Sequence, residues 1–354
     1  MNDPEFASSI SPSQPWPPLT FRRLLIGDDG LRAGWSLLLF VLLAALFIYG
    51  GNRLVHHLPT HSNTTSAGPL ELIPNTAILG PAIAFTSLAL AALLMSLVER
   101  RPFSRYGLTL RRMPTDFALG IFWGIFALSM LVAVLFLTHT IAFDSIALHG
   151  IPALTYALEW ASVFLLVGLF EEFFFRGYLQ YTLARGVAGL TRALSPGNLH
   201  AHVIGFWIAA SIFSVILFTA AHTGNHGETF EGIAAVALAG TVFAFSLYRT
   251  GSLWWAIGFH TAWDWGQSYL YGTPDSGVLA RGHLLITHPI GRPMLSGGSA
   301  GPEGSLFVLP TFLLVALIIH LTLPRRSYPL TADQSSDPAP VSSSPSAPGH
   351  ISPI

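Results

Sequence analysis

Two adjacent carboxylates and one guanidinium lie at the end of a strongly apolar run of the sequence. Glu171 and Glu172 follow the segment LEWASVFLLVGLF, and Arg176 comes four residues after Glu172. Ionisable groups inside an apolar span are costly and usually mark function. Residues four apart share a helix face, so Glu172 can pair with Arg176, whereas Glu171 is turned about 100° away. A carboxylate left without such a partner in a poorly hydrated setting suits general-base chemistry.

Two further motifs supply imidazoles and a third carboxylate. The segment FTAAH places Phe218 and His222 one turn apart, and HTAWD places His260 and Asp264 on one face of a later helix. Taken singly, each motif fits an ordinary helix end or core position. Together they bring glutamate, histidine and aspartate from separate helices, and a bundle core that gathers such residues commonly forms a metal or catalytic site.

The composition is that of a membrane protein. Of the residues, 51% are hydrophobic and only 10% are charged, whereas soluble domains carry about 25% charged residues. The formal net charge of -1 gives no indication of a nucleic-acid partner. The sequence has no lysine and no cysteine, which excludes a lysine Schiff base, a thiol nucleophile and cysteine metal ligands.

Several apolar segments are long enough to cross a bilayer, which takes about 20 residues of helix. We therefore predict an all-α, polytopic membrane helix bundle with about eight transmembrane helices. The predicted spans are 34–52, 77–97, 116–138, 154–175, 203–221, 232–249, 252–271 and 305–323.

The chain divides according to these spans and to the composition between them. The tail is rich in Ser and Pro and cannot bury enough apolar surface to fold. The predicted regions are a cytoplasmic disordered or interfacial N-terminus over 1–33, three accessory transmembrane helices over 34–138, a helical core with the polar motifs over 154–271, an external Gly- and Pro-rich loop over 272–304, the last transmembrane helix over 305–326 and a disordered cytoplasmic tail over 327–354.

The arginines predict the sidedness of the protein, because cytoplasmic loops carry an excess of positive charge. With the N-terminus inside, only Arg53, Arg281 and Arg292 of the 17 arginines fall on the outer side. We expect both termini to be cytoplasmic and the protein to be integral to a bacterial inner membrane.

In chain order, the segments EEFFFR, FTAAH and HTAWD match the patterns EExxxR, FxxxH and HxxxN/D. This set resembles the CPBP family of intramembrane proteases, which includes the type II CAAX prenyl endopeptidases and bacterial relatives linked to bacteriocin processing or immunity. The resemblance covers roughly residues 154–271. It implies cleavage of a membrane-bound peptide or protein substrate in the lipid bilayer.

The resemblance also implies a role for each matching residue. Glu171 would be the general base that activates water for attack on a peptide carbonyl. Glu172 would support it, with Arg176 holding the Glu172 carboxylate. His222 would position or polarise the water. His260 and the residue four places later would stabilise the oxyanion.

That last position departs from the eukaryotic prenyl endopeptidases, in which asparagine is expected and where this chain has Asp264. An ionised aspartate cannot donate a hydrogen bond to an oxyanion. Asp264 could instead orient His260, be protonated in a dry site, or bind a metal.

No metal cofactor is expected, because the HExxH helix of the usual zinc proteases is absent. Zinc is still possible, with His222, His260, Glu171 and Asp264 as its ligands. Two other functions stay open: a membrane transporter or proton or cation relay, and a non-catalytic scaffold of the bacteriocin-immunity type.

The depths of the motifs raise one difficulty. If each predicted span crosses the membrane as one straight helix, Glu171 lies near the inner end of the fourth span and His222 near the outer end of the fifth. The two side chains could not then meet. We expect residues up to about 204–206 to lie along the inner interface, so that the fifth span starts late. A cavity opening to the cytoplasm would suit these depths.

Overall fold

The computed structural model describes residues 25–27, 30–56, 71–225, 227 and 229–324. Most of the predicted N-terminal region and the whole predicted tail lie outside the described residues, as do Arg22, Arg23, Arg325 and Arg326. The last part of the N-terminal region forms a small antiparallel pair, β1 (Ile26–Gly27) with β2 (Gly30–Leu31).

The described residues fold mainly into helices, which confirms the prediction of an all-α membrane bundle. The helices are α1 (Ala33–Val55), α2 (Leu79–Glu99), α3 (Met113–Leu137), α4 (Gly150–Glu172), α5 (Gln180–Leu194), α6 (Ala201–Ala210), α7 (Phe218–His222), α8 (Phe230–Thr250), α9 (Trp254–Trp265) and α10 (Val308–Thr322). Segments of π-helix join α4 to α5 (Phe173–Leu179), join α6 to α7 (Ser211–Leu217) and extend α9 (Gly266–Leu270).

Within the described residues, six helical stretches are long and apolar enough to cross a membrane, compared with eight in the sequence prediction. All eight predicted spans contain helix. The difference arises because α9 has 12 residues and α10 has 15, which are short for a bilayer crossing. The protein is therefore an integral membrane protein whose number of crossings is close to the predicted value.

The stretch from α4 to α7 is a hairpin. It bends at Gly177, whose ψ of -108° is not helical. The outgoing limb of the hairpin runs 22 residues, from Glu172 to Leu194. The return limb runs 21 residues, from Ala201 to His222. Because the two limbs have nearly equal length, His222 returns to the level of the paired glutamates. The return limb begins at Ala201, earlier than the late start that we expected.

Contacts between the limbs fix the register of this hairpin. A Cβ at Gly205 would overlap the carbonyl oxygen of Ala184, so the two backbones touch at this point. Farther along, the Ser214 hydroxyl donates to Gln180 Oε1 at 2.6 Å, and both residues are fully buried. The hairpin is thus held along its length by one close backbone approach and one buried polar contact.

Helix α9 packs closely against α3 through glycines. A Cβ at Gly120 would overlap the carbonyl oxygen of Trp255, and one at Gly124 would meet that of Phe259. From the other side, Gly258 faces the backbone of α3. Small residues four apart allow membrane helices to approach this closely. The accessory helix α3 thereby fixes the helix that carries the HTAWD motif.

The two ends of the bundle differ in character. At one end, which we call the arginine-rich end, Arg112 pairs with Asp116 at 2.9 Å and Arg249 donates to the carbonyl of His320. Helix α9 starts at this end, where the backbone N–H of residue 253 donates to Gly107 O at 2.9 Å. It then runs toward the opposite end of the bundle.

At the opposite end, residues 272–304 fold back over the helices, and we call them the covering segment. Its strand β5 (Leu279–Ala280) pairs in parallel with β3 (Glu71–Leu72), and its strand β6 (Leu285–Pro289) pairs antiparallel with β4 (Ile141–Ile146). The predicted loop is therefore folded and tied to two other parts of the chain.

Candidate functional site

The two adjacent glutamates have different surroundings. Glu172 is fully buried and its Oε1 accepts a hydrogen bond from Arg176 Nη1 at 2.8 Å. The Glu171 side chain is 19% exposed, and its Oε2 atom has no hydrogen-bond partner among the described residues. The structure thus contains the division into a tethered and a freer carboxylate that the spacing predicts.

Arg176 lies beneath the site and is also fully buried. Its guanidinium carbon is 4.4 Å from the centre of the Phe218 ring and 5.2 Å from that of Phe243. Cations are attracted to aromatic faces at such distances. Phe218 therefore stabilises the arginine that holds Glu172, and its ring also packs on His222 with centroids 4.5 Å apart.

The orientation of the His222 ring follows from its backbone contact. Its Nδ1 atom lies 2.8 Å from the carbonyl oxygen of Phe218. A carbonyl can only accept, so Nδ1 carries the hydrogen and donates it. In the neutral ring, Nε2 is then an acceptor, and it faces Glu171 Oε2 at 3.9 Å.

His260 lies between three carboxylates. Its Nδ1 atom is 3.0 Å from Glu172 Oε1, while its Nε2 atom is 3.8 Å from Glu171 Oε2 and 3.5 Å from Asp264 Oδ2. A protonated imidazolium ring can donate from both nitrogens to such surroundings. The predicted pairing of His260 with Asp264 along one helix face is present.

A cavity of about 250 Å³ adjoins these groups. Its polar wall includes Glu171, His222, His260 and Asp264, and much of the remaining wall is aromatic or aliphatic. Residues of the covering segment also line it, whereas none of the residues named above at the arginine-rich end does. The cavity therefore extends from Glu171 and α9 to the covering segment. The expectation that it opens to the cytoplasm stays a prediction.

The possible zinc ligands meet at this cavity. Glu171 Oε2 is within 3.9 Å of both Nε2 atoms, but in the described part of the chain no three histidine, aspartate or glutamate side chains are arranged to hold a metal ion. Ligand atoms must converge to about 2.0–2.2 Å from zinc. The donors present give no ready-made metal site.

Two carboxylates of the cavity were missed by the sequence analysis, both in the covering segment. Asp275 Oδ2 accepts a hydrogen bond from the Ser268 hydroxyl at 3.1 Å, and Glu303 Oε1 accepts one from the backbone of Ser276 at 2.7 Å. Both residues line the cavity. No local spacing signals their role, since only the return of the covering segment brings them to the site.

The fold and the site define a class of protein, a polytopic membrane helix bundle with an interior site of carboxylates and imidazoles. Residues 152–266 match the family model described as type II CAAX prenyl endopeptidase Rce1-like. This match confirms the CPBP resemblance over residues 152–266. Comparisons with curated proteins and with solved structures found no match.

Proposed function

We propose that this protein is an intramembrane endopeptidase that hydrolyses a peptide bond of a membrane-associated substrate with water activated by Glu171 and without a metal. The observation that carries the proposal is the position of Glu171 Oε2. This atom has no hydrogen-bond partner among the described residues and lies 3.8 and 3.9 Å from two imidazole Nε2 atoms, and Glu171 lines the cavity. Polar atoms at such separations are commonly bridged by water.

In the proposed reaction, Glu171 takes a proton from water while the water oxygen attacks the peptide carbonyl carbon. The unprotonated Nε2 of His222 accepts the second hydrogen bond of that water and orients it. The carbonyl oxygen gains negative charge, which His260 Nε2–H stabilises. Glu171 then gives its proton to the departing nitrogen as the C–N bond breaks, leaving an amine and a carboxylic acid.

Glu172 and Asp264 act through His260 in this scheme. Glu172 accepts from Nδ1 at 3.0 Å, and Asp264 lies 3.5 Å from Nε2. Both negative charges favour an imidazolium that can donate to an oxyanion. Of the alternatives open for Asp264, these distances support the orientation of His260.

The proposal also includes the cellular setting. The arginine distribution supports cytoplasmic termini and a bacterial inner membrane, and the site supports a substrate that is itself anchored in the bilayer. The arginine-rich end then faces the cytoplasm and the covering segment faces outward.

The test is proteolysis of a mixed library of membrane peptides by the purified protein in detergent. Replacing Glu171→Gln should reduce cleavage by about 10²- to 10⁴-fold. Glu159→Gln is a matched control, because Glu159 is an exposed glutamate on the same helix. Each protein is assayed with and without a chelator.

Cleavage that depends on Glu171 and persists with chelator supports the proposal. Cleavage abolished by chelator and restored by zinc contradicts the metal-free mechanism. A folded wild-type protein that cleaves no peptide, but moves ions or solutes in proteoliposomes, would favour the transporter instead.

A further inference from the structure

The charged groups that line the cavity are mostly acidic. Besides the carboxylates of Glu171 and Asp264, its wall includes those of Asp275 and Glu303. No arginine is among the described residues that line it, and the whole chain lacks lysine. Of the two imidazoles in this wall, the proposed mechanism uses His222 as a neutral ring and only His260 as a cation, so one imidazolium faces four carboxyl groups.

One of these carboxylates is buried and has unused acceptor capacity. Asp264 is 8% exposed and borders the cavity, and it makes no hydrogen bond with any residue that the structure describes. Its nearest charged neighbour is His260 Nε2 at 3.5 Å. A hydrogen-bond donor on a bound molecule could therefore be accepted by the Asp264 carboxylate.

The carboxylates of the covering segment line the same cavity as Glu171 of the glutamate helix. Burial raises the pKa of Asp275 to about 6. Glu303 is held in place by the backbone N–H of Ser276 at 2.7 Å. A molecule in the cavity therefore meets carboxyl groups from α4, from α9 and from the covering segment.

Between these charges the walls are apolar. Trp160 and Phe164 come from α4, and Trp263 and Phe312 from α9 and α10. A bound segment that fits this cavity needs apolar groups for its walls and a cation for its carboxylates. A terminal carboxylate would instead meet like charge, which disfavours binding.

We propose that the cavity takes an internal segment of a membrane-anchored polypeptide carrying a lysine or arginine among apolar residues, and that Asp275 and Glu303 determine this specificity. The inference rests on the proposed endopeptidase function, for which it names the substrate class. The acidic groups of the covering segment attract the cation, while Glu171 and His222 act on the neighbouring peptide bond.

The experiment uses synthetic single-span peptides of alanine and leucine that differ only by arginine, glutamine or glutamate at one scanned position beside the membrane segment. Binding and cleavage are measured separately for the full-length protein. We expect the wild type to bind and cleave the best arginine peptide about tenfold better than its glutamine counterpart, with the glutamate peptide weaker still. High salt should reduce the difference.

The variants Asp275→Asn and Glu303→Gln should each lower the arginine-to-glutamine ratio several-fold. Asp144→Asn is the matched control, because Asp144 is an exposed carboxylate at the same end of the bundle that does not line the cavity. Melting temperatures show that the variants fold, and the wild-type peptide series tests the charge preference independently of any variant.

The two proposals fail in different ways. Charge-selective binding without cleavage contradicts the endopeptidase but supports the cationic specificity. Cleavage that is equal for arginine, glutamine and glutamate peptides supports the endopeptidase and overturns the specificity. An unchanged ratio in both variants overturns the assignment of Asp275 and Glu303.

Discussion

At the scale of the residue, the neighbours of each carboxylate determine what it can do. Glu172 is enclosed by Arg176 and His260, so its charge is balanced within the protein. Glu171 lines the cavity, and its Oε2 atom has no hydrogen-bond partner among the described residues. One glutamate is therefore suited to holding the site together and the other to proton transfer, although they are adjacent in sequence.

The variant Glu172→Gln should be mainly a stability variant. The substitution would leave the Arg176 guanidinium fully buried without its charge partner, and the loss of one member of a buried ion pair costs about 3–5 kcal/mol. Thermal unfolding in detergent should show a large fall for Glu172→Gln and little change for Glu171→Gln. Equal stability of the two variants would contradict this division.

The variant Asp264→Asn distinguishes two roles for this residue. If Asp264 stabilises the His260 imidazolium, asparagine removes the charge and should lower the cleavage rate by about tenfold. If Asp264 is instead protonated and donates to the oxyanion, asparagine can donate in its place and the rate should hardly change. Cleavage kinetics on one fixed peptide separate the two outcomes.

At the scale of the element, irregular helix geometry positions the site. One π-helical segment begins immediately after Glu172, and another ends immediately before Phe218. Such insertions rotate the following residues relative to a regular helix and are frequent at functional sites. Glycine contacts between α3 and α9 then hold the histidine and aspartate of α9 at a fixed distance from the glutamates.

Gly124→Ala should disturb this helix packing. Its Cβ would meet the carbonyl oxygen of Phe259, one residue before His260. We expect a loss of about 1–3 kcal/mol in the free energy of unfolding and reduced cleavage.

The control is Gly50→Ala in α1, where a Cβ has open space. Alanine should leave stability unchanged there, or raise it by about 0.5–1 kcal/mol. If the two variants unfold alike, the glycine contact between α3 and α9 does not hold the bundle together.

At the scale of the whole molecule, the cavity lies beside the covering segment, and its lining includes none of the residues named at the arginine-rich end. Two strands of the covering segment pair with strands elsewhere in the chain: β5 pairs with β3, which precedes α2, and β6 pairs with β4, which lies between α3 and α4. If the arginine-rich end is cytoplasmic, the covering segment lies on the outer side. Cysteine labelling can test this sidedness, because the chain contains no cysteine of its own that would also react.

Single cysteine substitutions should report the sidedness of the protein. Ser195→Cys lies in the exposed turn of the hairpin beyond the arginine-rich end, and His288→Cys lies on the exposed strand β6. In intact cells we expect a membrane-impermeant maleimide to label the His288→Cys variant only, whereas the Ser195→Cys variant is labelled after the membrane is opened. The reverse pattern would contradict the predicted cytoplasmic termini.

Helix-local features were predictable from the sequence. The spacing of Glu172 and Arg176, and of His260 and Asp264, leads to contact because residues four apart on a helix are neighbours wherever the helix is placed. Apolar composition likewise predicted a membrane bundle, and the eight predicted spans all contain helix. The order of the three motifs was sufficient to predict the family.

Tertiary structure decided the contacts between elements. Glu171 meets His222 because a bend at Gly177 and two limbs of nearly equal length return the chain to its starting level, and no local spacing encodes that return. Asp275 and Glu303 reach the cavity only because the covering segment pairs with distant strands. Sequence by itself therefore determined which groups each helix carries, whereas the packing of the helices decided which of them meet, since long-range register depends on the whole chain.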